Sequence, residues 1–372
     1  MPDRDAGSNA VLSHVRSLQR LGLQVEFVAA RELDASQPMI EHLAALDVTV
    51  HTTPFCASVE EVLRRRPGQY DLVYLHRVQN AAKYGALVRD SQPRARMIYG
   101  VADLHHLRVQ RQSDAEKRPE LEPLARRLRL AELTAVATSD VVITHSTVEA
   151  ELLRRSVPTA SVETVLWNVP LRPSPVPFEQ RRGIAFVGGF AHDPNRDAAK
   201  WILSEIMPAV RSIAPIDCLL VGSDLPEDVV RLCGNGVTPI GHVQDLGTIF
   251  AQVRLTVAPL GYGAGIKGKV LESLAAGIPC VCTPIAAEGL NLPSPLNSYV
   301  TSDVDRFSQM IVELHEDAEA NAAAGRAAQD YVASTCSERR VDDAMWRVLG
   351  RELRARCTAS LPTFDPDAGC WA

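Results

Sequence analysis

Residues 255–279 read Leu255-Thr-Val-Ala-Pro259-Leu-Gly261-Tyr-Gly263-Ala-Gly265-Ile-Lys267-Gly-Lys269-Val-Leu-Glu272-Ser-Leu-Ala-Ala-Gly277-Ile-Pro279. Leu255–Ala258 is a short, continuous β-rich run, the pattern of a strand buried on both faces. Glycines at 261, 263 and 265 follow, and they let backbone approach a ligand closely. The spacing then predicts a helix from Ile266 to about Ala276. Strand, glycine loop and helix in succession are the unit of a parallel α/β sheet. The helix start offers unpaired N–H groups and a positive dipole end. Lys267 and Lys269 fall in its predicted first turn, where cations oppose the dipole. Local stability alone would not put them there, whereas a bound anion would. The alternative is a solvated surface turn. Glu272 lies on a neighbouring face, three residues beyond Lys269.

The same alternation extends in both directions. Strands are predicted at Val25–Ala29, Val48–His51, Leu72–Leu75, Met97–Gly100, Val141–Thr144 and Val162–Leu166, then at Ile184–Val187, Cys218–Val221, Val237–Ile240, Cys280–Cys282 and Tyr299–Thr301. Between them lie amphipathic segments, such as Val11, Leu12, Val15, Leu18 and Leu21 with Gly22 as a stop. Ser146 and Glu149 form a capping-box pattern. Four prolines at 170, 173, 175 and 177 cannot continue a helix or a central strand, and they read as a linker. The expected organisation is a first doubly wound domain over 1–169, a linker over 170–182 and a second over 183–341. A helix over 342–356 and a loose tail over 357–372 complete it. Two such domains would face a cleft, and ligands in these folds bind outside the carboxyl ends of the strands.

Composition bounds the function. The chain has 372 residues, 46% hydrophobic and 23% charged, with a net charge of −6 and 5% aromatics. There is no global basic field and no set of stacking platforms, so nucleic acid is not an expected partner. No apolar run reaches membrane-spanning length, the N-terminus is polar, and the eight cysteines form no C-x-x-C pair, which points to a cytoplasmic protein. Cys280 and Cys282 share one strand face as packing residues. No metal is expected: no Asp-x-Asp sits in a suitable loop, and no His-x-x-x-His pair or Cys/His cluster occurs.

Two further loops carry chemistry. Gly188-Gly189-Phe-Ala-His192-Asp-Pro-Asn195 follows a predicted strand and enters a helix with Asp193 or Asn195 as N-cap. Such a junction suits phosphate or sugar contact. Asp103, His105, His106 and Arg108 follow the Met97–Gly100 strand at its carboxyl end. One of these histidines could orient or deprotonate an acceptor hydroxyl, or contact a transferred sugar. Structurally bonded histidines are the alternative. Seven Arg/Lys between Arg108 and Arg129 read as a solvated helix face, or as a contact for anionic lipid or a phosphorylated acceptor.

Taken in order, these stretches resemble the nucleotide-sugar half of retaining glycosyltransferases of family four, with the GT-B architecture. The resemblance rests on Phe186-Val-Gly-Gly-Phe-Ala-His-Asp-Pro-Asn195 with Trp201, Val221-Gly-Ser, Gly241-His-Val-Gln-Asp245-Leu, Ala258 through Pro279, and Pro284-Ile-Ala-Ala-Glu288-Gly289. The first half is similar more loosely, through Pro2-Asp-Arg-Asp5-Ala-Gly7-Ser8, Asp103–Arg108, Ser146-Thr-Val-Glu149 and Asn168.

The resemblance implies a nucleotide-diphosphate sugar as donor, a sugar or glycolipid acceptor, retention of configuration, and no cofactor or metal. Lys267 and the Gly263–Gly265 amides would hold the diphosphate, Glu272 the ribose, and the Val243 region would flank the base. Gly7 and Ser8 would close on the phosphates or the acceptor. The catalytic candidates are Lys267, His105 and Asp103. Binding candidates also include His106, Arg108, Gly188, Gly189, His192, Asn195, Ala264, Ile266, Lys269 and Leu271.

Two departures stand out. The family commonly has Glu, seven residues, then Glu; here the second is Glu272 and the first position is Ala264. Relatives also carry a strand before the Pro-Asp segment, so the first sheet is expected to be incomplete or the start truncated. Peripheral membrane contact stays open. A sugar-nucleotide epimerase and a non-catalytic sugar-nucleotide or glycan-binding partner are the alternatives.

Overall fold

The computed structural model describes residues 6–30, 37–360, 364–365 and 370–371. The Pro2–Asp5 motif and most of the tail beyond 360 lie outside the described residues. The chain forms two compact units. The first comprises Met1–His106, Arg126–Asn168 and Glu338–Ala372; the second comprises Leu107–Ala125 and Val169–Ser337.

The first unit holds β1 (Glu26–Val28), β2 (Thr49–His51), β3 (Leu72–His76), β4 (Arg96–Val101), β5 (Val141–Thr144) and β6 (Val162–Thr164). β3-β4-β5-β6 form one parallel sheet in chain order, and β1-β2 a separate parallel pair. Among the described residues no strand pairs with the edge of β3 that faces away from β4. The helix Ala6–Arg20 follows its apolar period and ends before Gly22, whose φ of 86° suits a helix stop. Its Leu18, and Leu21 just beyond its end, pack with Ile98 and Ile143 of the sheet, with Val165 just after β6 and with Val341, Met345 and Val348 of the helix Glu338–Val348. Asp342 of that helix accepts from both Arg20 Nε and Nη2 at 2.8 Å and from Ser17 Oγ at 2.6 Å. A last helix, Arg351–Ser360, runs through positions expected in the loose tail.

A histidine cluster is buried in this unit. His14 is fully buried, with Nδ1 3.1 Å from Tyr74 Oη and Nε2 3.2 Å from the Leu166 carbonyl. The His145 ring lies 5.5 Å away, edge-on to Trp167. Burial first, and the neighbouring His145 second, pull the His14 imidazole down from 6.5 to about 3. The folded state therefore keeps His14 neutral where the unfolded chain takes up a proton. Its contribution to stability is complete above pH 6.5 and is lost as pH falls towards 3. Between pH 7 and pH 5 the loss from this residue is expected to be about 2 kcal/mol. Urea midpoints of the wild type and His14→Gln at the two pH values check this. An equal pH dependence in both proteins would rule His14 out.

The second unit is a five-stranded parallel sheet in the order β11-β10-β7-β8-β9. Its strands are β7 (Ile184–Val187), β8 (Cys218–Val221), β9 (Val237–Gly241), β10 (Leu255–Ala258) and β11 (Cys280–Cys282). β10 and β11 are buried throughout, which explains their unbroken, non-alternating sequence. Cys280 and Cys282 are buried packing residues. The run Tyr299–Thr301, expected as a strand, contributes a single bridge from Val300 to Cys282 after a 3₁₀ turn at Leu296–Tyr299. The Pro170–Pro177 segment lies against this unit, with Arg172 and Ser174 N–H groups donating to the Ala275 and Ala276 carbonyls. Strand order runs one way from β7 through β8 to β9 and the other way through β10 to β11. The reversal falls between β7 and β10, and both strands end in a glycine loop.

Candidate functional site

The loop after β10 is shaped by its glycines. Gly263 has φ 157° and Gly265 has φ 66°, conformations that L side chains rarely adopt. The Thr283 hydroxyl holds the Leu260 carbonyl at 2.7 Å at the loop's start. The helix that follows runs Gly268–Ala275, two residues later than predicted, because Lys267 takes extended angles as its N-cap. Eight residues do not hold a helix by propensity alone. Val270, Leu271 and Leu274 are buried to 0–1% exposure, each worth roughly 1.5–3 kcal/mol. Ser273 Oγ bridges Thr256 of β10 and the Ile278 carbonyl. Leu271, a predicted ligand contact, is thus a core residue.

The two lysines have different surroundings. Lys267 is 8% exposed, and its Nζ donates to the Gly265 carbonyl at 2.6 Å. It curls over the loop at the helix's positive end. Lys269 points the other way. Its Nζ donates to Asn195 Oδ1 at 2.6 Å and stands 4.5 Å above the Phe186 ring. Burial pulls this amine down from 10.5 to about 7, and Lys267 adds to the effect. Asn195 Nδ2 in turn donates to the Gly189 carbonyl at 2.7 Å, so Lys269 and Asn195 tie the two glycine loops together. A Cβ on Gly188 would stand 2.9 Å from both the Asn195 amide carbon and Lys269 Nζ. The carboxyl of Glu272 is pushed up by burial and pulled back by Lys269 and Arg172.

The loop after β7 leads into the helix Asp193–Trp201, with His192 rather than Asp193 or Asn195 as N-cap. Pro194 suits the first turn, where its missing N–H costs nothing. Asn195 is thereby inside the helix and free to bond back to Gly189. Val243 packs at the edge of the core under β7 and β8.

One helix face of the second unit joins this site, and of its residues the sequence singles out only Arg108. Residues Leu107–Glu116 cluster here, although the sequence assigns them to the first domain. Arg108 Nη1 donates to His192 Nε2 at 2.7 Å. Arg111 Nη1 donates to the Gly263 carbonyl at 2.7 Å and to Glu288 at 2.8 Å, and Nη2 to the other Glu288 oxygen at 2.6 Å. Gln112 reaches Asp193 at 3.4 Å. Tyr262 Oη lies 2.8 Å from Glu116 and 2.9 Å from Asp197, and burial with these two carboxylates pushes its hydroxyl pKa up. Spacing of three, four and eight residues puts Arg108, Arg111, Gln112 and Glu116 on one face. The sequence signal is the basic run itself, which reads as a solvated face or as a contact for anionic lipid or a phosphorylated acceptor.

In the first unit, the loop after β4 is held by two fully buried carboxylates. Glu149 accepts from the Leu104 N–H at 3.0 Å and the Thr144 hydroxyl at 2.8 Å. Glu132 accepts from the His105 N–H at 2.7 Å and pairs with the buried His106 ring. His106 thus fixes the loop. His105 Nε2 lies 3.2 Å from Asp103 Oδ1, and Gln79 Nε2 is 3.4 Å from its Nδ1. Asp103 and Gln79 thus hold the His105 ring from its two nitrogens. Arg77, at the end of β3, holds φ 71° and ψ 151°, a strained conformation of the kind that collects at functional sites. Gly7 and Ser8 lie in the first turn of the helix Ala6–Arg20. Among the described residues no group of three or more His, Cys, Asp or Glu is placed to hold a metal ion. No helix among them is long and apolar enough to cross a membrane.

The model of the family described as "Glycosyl transferases group 1" matches residues 181–317. This stretch is similar to a glycosyltransferase domain. It contains both glycine loops, Asn195, Lys267, Lys269, Glu272 and Glu288. No curated protein matches the chain by sequence. Sucrose-phosphate synthase from Thermosynechococcus elongatus is similar in structure, with a TM-score of 0.70 at 18% identity over 93% of both chains. So is the Anabaena protein Alr3699/HepE in complex with UDP and glucose, with a TM-score of 0.67 at 16% identity over 92% of this chain and 96% of that one. TarM gives a TM-score of 0.63 at 11% identity over 78% of this chain, which spans 57% of TarM's length. The fold of the chain is thus that of the GT-B enzymes, with parallel-sheet α/β domains.

Proposed function

We propose that the chain transfers a sugar from a nucleotide-diphosphate donor to an acceptor hydroxyl, with retention and without a bound metal or cofactor. The observation that carries this is the convergence of both glycine loops at the strand-order reversal of the second unit, with Lys267 capping a helix there. Open α/β sheets bind ligands at this place. The Gly263–Gly265 amides, the N–H groups at the helix start and Lys267 supply positive charge to the leaving diphosphate. Charge there grows in the transition state, so a fixed cationic cradle accelerates departure. Lys267 exchanges the Gly265 carbonyl for phosphate when the donor binds. Glu272 accepts from the ribose, and the Val243 region flanks the base. His105, oriented by Asp103 and Gln79, serves the acceptor hydroxyl. UDP is the first donor nucleotide to test, because the HepE complex contains it. The acceptor is a sugar or glycolipid, and the protein works in the cytoplasm, with the exposed Arg127 and Arg129 of the basic run turned to a membrane surface.

The test is incubation with labelled UDP-, GDP- and dTDP-sugars, with and without EDTA. Transfer or slow donor hydrolysis that survives EDTA, giving a product with the donor's anomeric configuration, is the expected result. Epimer interconversion would instead identify an epimerase, and binding without turnover a non-catalytic partner. Inversion in the product would overturn the retaining assignment.

A further inference from the structure

Arg111 does more than cover a surface. Its one guanidinium takes three acceptors: the Gly263 carbonyl at 2.7 Å and the two Glu288 oxygens at 2.8 and 2.6 Å. Both side chains are mostly buried, 23% and 15% exposed. A planar fork of donors fits a carboxylate bidentately and holds it in one geometry. The carbonyl it holds belongs to a residue at φ 157°, so the clamp acts where the backbone is least restrained by its own preferences. The same contact places a carboxylate beside a loop that, on the reading above, receives a diphosphate.

We propose that Arg111 is a positioning residue of the donor loop. It fixes the Gly263 carbonyl so that the following amides and Lys267 face the diphosphate, and it neutralises Glu288 beside them. The proposal rests on the donor-loop reading. It has a consequence that a plain structural role lacks. Without Arg111, Glu288 becomes an uncompensated negative charge next to an anion site. A second substitution that removes this charge should then restore binding.

The experiment is calorimetric titration of UDP, GDP, dTDP and their nucleosides into the full chain, with melting curves as a fold control. Arg111→Met is expected to weaken diphosphate binding roughly 10–100-fold and leave the nucleoside within about threefold. Arg111→Lys, which keeps the charge but not the fork, is expected to fall between wild type and Arg111→Met. Glu288→Gln alone is expected to cost less than about fivefold, and Arg111→Met with Glu288→Gln to bind diphosphate better than Arg111→Met. Equal loss of nucleoside and diphosphate, or a double variant no better than the single one, would overturn the role of Arg111. Failure of the wild type to bind any of the diphosphates would overturn the donor-loop reading together with it.

Discussion

Alanine at position 222 is expected to destabilise the second unit by about 3 kcal/mol or more. Gly222 follows β8 with φ 145°, and a Cβ there would stand 1.7 Å from the Gly188 carbonyl oxygen and 2.7 Å from its carbon. Both obstacles are backbone, so no rotamer change relieves them. Neither segment can withdraw cheaply, because the Gly222 N–H donates to the Gly241 carbonyl at 2.7 Å and the Gly188 N–H to the Val221 carbonyl at 2.9 Å. Relief means displacing the Gly188–Gly189 loop, so ligand binding should weaken in whatever fraction still folds. Gly189→Ala is the control. Its nearest obstacle is Ser223 Oγ at 3.9 Å, and its cost should stay below about 1 kcal/mol. Urea unfolding of both variants decides the matter, and a Gly222→Ala midpoint matching that of the control would refute the steric account.

Replacement of Lys267 by methionine is expected to weaken UDP, GDP or dTDP binding by roughly 10–100-fold, the range for a hydrogen bond to a charged group. The corresponding nucleoside should bind unchanged. Methionine keeps the apolar stem, which matters because the side chain is 8% exposed and its Cε lies 3.3 Å from where a Gly263 Cβ would be. An unchanged melting temperature would separate charge loss from repacking. Lys269→Met should behave differently. Lys269 braces the Asn195–Gly189 contact and already sits in an environment that disfavours its charge, so both nucleoside and diphosphate affinities should fall with stability. A Lys267→Met loss shared equally by the nucleoside would exclude Lys267 from phosphate contact.

Most strands were legible because a parallel strand buried on both faces must be apolar throughout. Ile184–Val187, Cys218–Val221 and Leu255–Ala258 coincide with their predicted limits. Tyr299–Thr301 has the same residue preferences but pairs through Val300 alone, and propensity does not say whether a partner is within reach. The glycine loops, Lys267 and the Asp103–His105 pair were readable because they lie at the ends of strands. Their partners were not. Arg111 meets Glu288 across 177 positions, and Tyr262 meets Glu116 across 146. Glu149 looked like an ordinary third residue of a capping box. Its N–H does donate to Ser146 Oγ at 3.4 Å, while its carboxylate turns inward to Leu104 and Thr144.

The sequence by itself determined the parallel α/β class, the two glycine loops and the presence of cations where a helix begins. These follow from local rules: apolar periodicity, the freedom of glycine and the polarity of a helix end. Tertiary structure decided the order of the strands, and with it that β7 and β10 are neighbours whose loops converge. It also decided which lysine curls onto the Gly265 carbonyl and which braces a turn, and that the arginine face at Arg108 and Arg111 grips the loops instead of water. Those outcomes depend on which distant side chains a carboxylate or carbonyl meets once the chain is packed, and no local pattern encodes that meeting.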